Sequence, residues 1–153
     1  MSPDPESPPT GGEAMITSVT ARLIMAGRLA ARGLEEALAE HGLSLRLLGA
    51  LGHLARNPEL SYSDLARRAG ITAQSMHATV RNLENMGAVA RRNAGQGRRA
   101  RLEVTEHGRA LLTIAAEVTA RLDRQLLDLL TPDHRAGLTA ALAALIPGPP
   151  PRP

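Results

Sequence analysis

The polar face of one predicted helix carries side chains that could bond the edges of nucleic-acid bases. Met76, Val80 and Leu83 follow the i, i+4, i+7 spacing of a buried stripe within residues 73–86. The opposite face is left for solvent or a ligand. The side chains expected to contact bases are Gln74, Ser75, His77, Ala78 and Arg81. Arg can donate two hydrogen bonds to guanine, Gln can bond adenine, and Ala can touch a thymine methyl. An ordinary amphipathic helix with a solvated face has the same pattern, so both interpretations stay open at this point.

Arginine is concentrated around this helix. Residues 60–109 contain nine Arg and four acidic residues, a net charge of +5, whereas the rest of the chain has nine Arg and eleven acidic residues, a net charge of −2. Such a basic segment is the electrostatic signature of a nucleic-acid-binding surface. The arginines expected to contact phosphates or to belong to a wing are Arg67, Arg68, Arg91, Arg92, Arg98, Arg99 and Arg101.

Metal binding and catalysis have weaker support. Two Glu–His pairs, Glu40–His41 and Glu106–His107, could supply four ligands, as a zinc site requires, only if the fold brought them together. Charged residues near helix ends need no metal to explain them, so we expect neither a metal nor a cofactor. The sequence has no Cys, and it has no nucleophile elbow, phosphate-binding loop or dinucleotide motif. We therefore do not expect an enzyme.

Two short helices joined by a tight turn are predicted to position the base-reading side chains. Ser61 and Asp64 have the spacing of a capping box at the start of the first helix. Gly70 is predicted to end that helix, because glycine takes a positive φ without steric penalty. Thr72 is placed to cap the second helix. This arrangement is typical of a helix-turn-helix.

A hairpin is predicted directly after the second helix. Residues 88–92 and 100–104 alternate small or apolar with polar side chains, as half-buried strands do. Between them, residues 93–99 hold two glycines and two arginines. A cationic hairpin tip beside a polar helix suits contact with phosphates or a minor groove. The segment 61–105 therefore predicts a helix-turn-helix followed by a wing.

This segment resembles the winged helix of the MarR (multiple antibiotic resistance regulator) family. The resemblance lies in DLARRAGIT, QSMHATVRNLENMGAV and RRARLEVTEHGRALL, in that order and spacing, and extends over residues 15–146. It implies a mostly α fold with a small β wing. The implied order is two helices, a strand, the two helices of the helix-turn-helix, two strands flanking the wing tip, and two further helices.

The resemblance also implies a function. Family members are homodimers that bind pseudo-palindromic double-stranded DNA, most often as repressors, and many respond to a small aromatic or phenolic effector. Family wings usually carry an Asp at the position where Gln96 stands here. That departure favours an alternative, in which a winged-helix dimer acts through protein contacts without binding DNA.

Long apolar stripes flank the winged region at both ends of the chain. Residues 14–43 and 106–146 are predicted to form helices whose apolar residues step by three or four. The compact winged region, residues 44–105, can cover only part of these stripes, and large exposed apolar patches are rare on monomers. We therefore favour a homodimer over an intramolecular bundle. The expected interface residues are Ile16, Val19, Leu23, Leu122, Leu126, Leu129, Leu138, Leu142 and Leu145.

The chain has the length of one domain. Its 153 residues, 43% of them hydrophobic, support a single core, which we assign to residues 14–146. Residues 1–13 and 147–153 are rich in Pro and are predicted to be disordered tails. The sequence contains no membrane-spanning apolar run and no signal-peptide pattern at its start, so we expect a cytoplasmic protein with no membrane partner.

Overall fold

Helices dominate the computed structural model, which describes residues 12, 16–92 and 101–146. The elements in chain order are α1 (Val19–Ala39), α2 (Leu45–Arg56), α3 (Tyr62–Ala69), α4 (Ala73–Asn85), β1 (Val89–Arg92), β2 (Arg101–Val104), α5 (Glu106–Asp128) and α6 (Pro132–Leu145). The predicted class, mostly α with a small β wing, is confirmed. Within the described residues, no helix is both long and apolar enough to cross a membrane.

The first long helix begins later than the sequence indicated. Ser18 is the N-cap of α1, because its extended backbone (φ −60°, ψ 130°) interrupts the helix and its hydroxyl accepts a hydrogen bond from the Ala21 N–H at 3.4 Å. Ile16 and Thr17 are helical ahead of this cap. The dimerisation helix predicted from residue 14 is therefore divided at Ser18.

The wing is a two-stranded antiparallel ribbon, with Val89 opposite Val104 and Arg92 opposite Arg101. The predicted third strand, ahead of the helix-turn-helix, was wrong: the described residues contain no strand between α2 and α3. Residues 57–61 form a turn instead, in which Pro58 has no N–H to offer a ladder. The Glu59 carboxylate of this turn forms an exposed ion pair with the Arg101 guanidinium at the start of β2, at 2.6 Å.

The core lies mainly in the winged region. The predicted stripe of Met76, Val80 and Leu83 is fully buried, each residue having 0% relative exposure. α4 lays this stripe against α2 and α3. Among the described residues, the other large side chains that are fully buried are Leu38, Leu51, Leu54 and Leu65. α4 is thereby fixed on one side and free on the other.

A close contact joins the end of α4 to the start of α5. Thr105 donates its hydroxyl hydrogen to the Gly87 carbonyl at 2.6 Å and accepts the Gly108 N–H at 3.0 Å. A Cβ on Gly108 would lie 2.8 Å from Val104 Cγ1 and would also overlap the Ala88 carbonyl oxygen. Only glycine fits there, so the β ribbon is held closely against α5.

Candidate nucleic-acid interface

The turn between α3 and α4 is set by the caps that the sequence predicts. Ser61 accepts the Asp64 N–H at 3.2 Å, and the Asp64 carboxylate accepts the Ser61 N–H at 3.3 Å and hydroxyl at 2.6 Å. These bonds, the side-chain bond first, lower the pKa of Asp64. Gly70 ends α3 with φ 65°, and Thr72 caps α4 by accepting the Ser75 N–H at 3.1 Å. The predicted capping box, stop and cap are confirmed.

α4 exposes most of the predicted base-reading residues on one side. Gln74, His77, Ala78 and Arg81 are exposed. Ser75 differs, because it is half-buried and its hydroxyl oxygen accepts a hydrogen bond from the Thr72 hydroxyl at 2.9 Å. Ser75 is therefore engaged in the helix cap. The four exposed residues form a reading face that a groove could receive.

Most of the described arginines near α4 have acidic partners. The ion pairs are Arg67–Asp64, Arg91–Glu84 at 3.2 Å, Arg92–Glu103 at 3.1 Å and Arg101–Glu59 at 2.6 Å. Exposed pairs of this kind contribute little to net stability, so a phosphate can replace the carboxylate partner of Arg67, Arg92 or Arg101 at little cost. Arg68 and Arg81 have no ion-pair partner within the described residues. The predicted wing-tip residues Arg98 and Arg99 lie outside the described residues.

A network of side-chain contacts joins α3, α4 and β1. The Tyr62 ring stacks on the His77 ring, with centroids 4.2 Å apart and planes 17° from parallel. The Tyr62 hydroxyl accepts a hydrogen bond from Arg91 Nη2 at 2.9 Å, and Arg91 Nε donates to Glu84 at 3.2 Å. The bond to Glu84 is the largest cause of a raised pKa at Arg91. Sequence reasoning missed Tyr62 and Glu84, although Tyr62 is the only aromatic residue of the chain.

Cationic side chains continue from α3 onto the end of α2. Arg56 Nη2 lies 3.5 Å from His53 Nδ1. Partial burial, followed by the charges of Arg56 and Arg68, lowers the pKa of His53. Sequence reasoning did not single out His53 or Arg56. The placement of Arg56 extends the positive surface beyond the helix-turn-helix.

A cleft of about 450 Å³ lies between α1, the start of α2 and α4. The Glu35 carboxylate borders it and accepts the Leu45 N–H at 2.8 Å, which caps α2 together with Ser44. The lining residues are Glu35, Ser44, Leu45, Arg46, Leu47, Ala78, Thr79 and Asn82. A molecule in this cleft would contact both α1 and α4.

The terminal helices leave large apolar side chains in solvent. Val19 and Leu129 have 81% and 82% relative exposure, and α6 has no buried residue. Of the predicted interface residues, Leu122 and Leu138 are half-buried. The others are all exposed: Ile16, Val19, Leu23, Leu126, Leu129, Leu142 and Leu145. This chain alone does not cover the predicted interface.

The two Glu–His pairs do not form a metal site within one chain. Glu40 and His41 follow the end of α1, whereas Glu106 and His107 begin α5. In the described part of the chain, no group of three or more His, Cys, Asp or Glu side chains could hold a metal ion. The condition for a zinc site, that the fold brings the two pairs together, is not met within the described residues of one protomer.

Comparison with known proteins identifies relatives of this chain. The model of the MarR family matches residues 41–100. The HTH-type transcriptional repressor Rv2887 of Mycobacterium tuberculosis is 40% identical over 96 residues, which are 62% of this chain and 69% of that protein.

Solved structures of relatives share the fold over most of the chain. Rv2887 in complex with DNA has a TM-score of 0.72 at 30% identity, covering 84% of this chain and 98% of that one. Its complex with salicylic acid has a TM-score of 0.71 at 32% identity, covering 85% and 97%. The transcriptional repressor CouR, bound to p-coumaroyl-CoA, has a TM-score of 0.69 at 25% identity, covering 90% and 96%. The expected resemblance is thus confirmed, and the chain belongs to the MarR family.

Proposed function

We propose that this protein is a homodimeric, sequence-specific DNA-binding repressor of transcription and has no catalytic role. The observation that carries the proposal is α4, which exposes a reading face directly opposite a fully buried stripe and is surrounded by arginines. The complex of the related Rv2887 with DNA supports it. Because its target would be chromosomal DNA, the protein would act in the cytoplasm.

The paired and unpaired arginines suggest different roles in DNA binding. Arg81 lies on the reading face with no ion-pair partner in the described chain, so its guanidinium is free to bond a guanine in the major groove. Arg68 is likewise available for a phosphate. Arg67, Arg92 and Arg101 would exchange their carboxylate partners for phosphates. Phosphate contacts of this kind set register, and base contacts set sequence.

A second copy of the chain would complete the DNA-binding unit. The exposed apolar side chains of α1 and α6, together with the distal end of α5, would pack against the same residues of a partner. Such a dimer can place two copies of α4 in successive major grooves of a pseudo-palindromic site, because two-fold protein symmetry matches two-fold operator symmetry.

The cleft between α1, α2 and α4 would hold a small organic effector. Structures of Rv2887 with salicylic acid and of CouR with p-coumaroyl-CoA support an effector of this general kind. A ligand contacting Glu35 or Arg46 on one side and Asn82 on the other would move α4 relative to α1. The spacing between the two recognition helices would then change, and operator affinity with it.

Binding to the DNA upstream of its own coding sequence tests the proposal. We expect the wild-type protein to prefer that duplex over a scrambled duplex of equal length. Arg81→Ala should reduce this preference by about 1–3 kcal/mol, the value of a forked Arg–guanine contact. Arg68→Ala, the matched control, should weaken binding to both duplexes equally and lower the salt slope by about one unit.

The outcomes separate the proposal from its alternative. If Arg81→Ala, like Arg68→Ala, weakened binding to both duplexes by the same factor, the reading face would be misassigned. No binding to any duplex would favour a protein-interaction module. That alternative rests on Gln96, which lies outside the described residues.

A further inference from the structure

We infer that Tyr62 is a positioning residue for sequence recognition: its ring holds the His77 imidazole on the reading face of α4, and its hydroxyl joins that helix to the wing through Arg91. The inference rests on the proposed DNA-binding function. It links α3, α4 and β1 through one set of side-chain contacts, which neither the sequence pattern nor the comparisons indicated.

Stacking gives His77 one orientation before any ligand arrives. The two rings lie 4.2 Å apart at 17°, which is an offset or parallel stack and not an edge contact. Tyr62 is the first residue of α3, directly after the N-cap Ser61, so the capping box fixes its backbone. An exposed side chain that is already ordered loses less conformational entropy on binding. The ring nitrogens of His77 can each donate or accept a hydrogen bond according to tautomer, as base edges require.

The hydroxyl end of Tyr62 extends these contacts to the wing. Arg91 of β1 donates one hydrogen bond to the Tyr62 oxygen at 2.9 Å and another to Glu84 at 3.2 Å. Glu84 follows His77 by seven residues, two turns along the same side of α4. A bare carboxylate there would repel DNA phosphates. Arg91 neutralises it while fixing β1 against α4.

These contacts distinguish Tyr62 and Arg91 from residues that touch DNA directly. One face of the Tyr62 ring is covered by His77, and its oxygen is engaged by Arg91. Both Nε and Nη2 of Arg91 are bonded within the protein. Arg91 therefore differs from Arg68 and Arg81, whose charges have no carboxylate partner in the described chain. The effect of Tyr62 on recognition should pass through His77.

A double-mutant cycle on the full-length protein tests the inference. Tyr62→Leu, His77→Ala and the double variant are each titrated against the upstream duplex and the scrambled duplex by fluorescence anisotropy. We expect each single variant to lower the ratio of the two affinities about 3- to 10-fold, the size of one ordinary hydrogen bond. The double variant should lose no more than His77→Ala alone, because Tyr62 acts through that ring.

Tyr62→Phe serves as the conservative rescue. It keeps the stacked ring and removes the acceptor of Arg91, so the ratio should stay within about twofold of wild type while affinity for both duplexes falls together. Thermal melting of each variant verifies folding. If the wild type prefers its upstream duplex, either of two results would overturn the inference but not the proposed function. One is an unchanged affinity ratio in Tyr62→Leu; the other is a loss in the double variant equal to the sum of the two single losses. A wild type without any preference would overturn the proposed function as well.

Discussion

Helix α4 and the terminal helix α6 have apolar residues at the same helical spacing, but only those of α4 are buried. Met76, Val80 and Leu83 of α4 are fully buried, whereas α6 buries none of its residues, and Leu145 has 64% relative exposure. The difference shows what periodicity means. It indicates that a face will be covered, but it does not indicate which chain supplies the cover.

Chain topology explains why the two helices differ. α4 is close in sequence to α3 and β1 and packs on α2, so its partners are available within one protomer. α6 follows the far end of α5, where Leu129 is 82% exposed and Leu126 is 47% exposed. The apolar residues of α6 and of the distal end of α5 are therefore both exposed to solvent. A second copy of the chain offers the same faces in return, as two-fold interfaces require.

The largest expected effect is on stability, through the buried stripe of α4. Leu83→Ala should lower the free energy of unfolding by about 2–5 kcal/mol, because it opens a cavity in a fully buried site. The loss should be the same at every protein concentration, since the contact lies within one chain. Urea unfolding at two concentrations tests this. A loss that vanished at high concentration would place Leu83 in the interface instead.

A charge on the uncovered side should act on assembly. Leu129→Glu should weaken dimerisation at least tenfold, about 1.4 kcal/mol, because it would bury a carboxylate in an apolar contact. Sedimentation over a range of concentrations measures the shift. Ala116→Glu is the matched control, because it adds the same charge at an exposed position on another side of α5. An unchanged dimer in Leu129→Glu, or equal weakening in both variants, would contradict the assignment.

Prediction from sequence succeeded where the deciding interactions are local. The capping box of Ser61 and Asp64, the stop at Gly70 and the cap at Thr72 each depend on residues within three or four positions. The extra strand before α3 was predicted by family likeness, but Pro58 has no N–H to offer a ladder, and a turn stands there instead.

The candidate site was only partly predictable for the same reason. Helical periodicity located Gln74, His77 and Arg81 on one exposed face. It could not distinguish a free arginine from a paired one, because every partner except Asp64, which lies three residues before Arg67, belongs to another element. Arg91 bonds Tyr62 across 29 positions of sequence. Such pairings follow from the tertiary fold and have no signature in the local pattern.

The smallest expected effect is on the pH dependence of stability, through His53 at the end of α2. Burial first, then Arg56 and Arg68, lowers the pKa of His53 below 6.5 in the folded state. The unfolded chain therefore binds this proton more readily, so stability is retained above about pH 6.5 and falls as pH decreases through the folded-state pKa. His53→Gln should flatten that dependence, and Arg68→Gln should reduce it. Urea midpoints between about pH 7.5 and pH 5 measure the slopes. An unaltered slope in His53→Gln would show that other groups cause it.

The central claim is that the winged region reads DNA while the terminal helices hold two chains together. It is tested most directly by counting the chains bound to one operator duplex. Native mass spectrometry of the complex with the upstream duplex should show two chains per duplex. Leu129→Glu should retain contact with phosphates but lose most of the preference over scrambled DNA, because a single half-site is read. One chain per duplex with the full sequence preference would contradict the account.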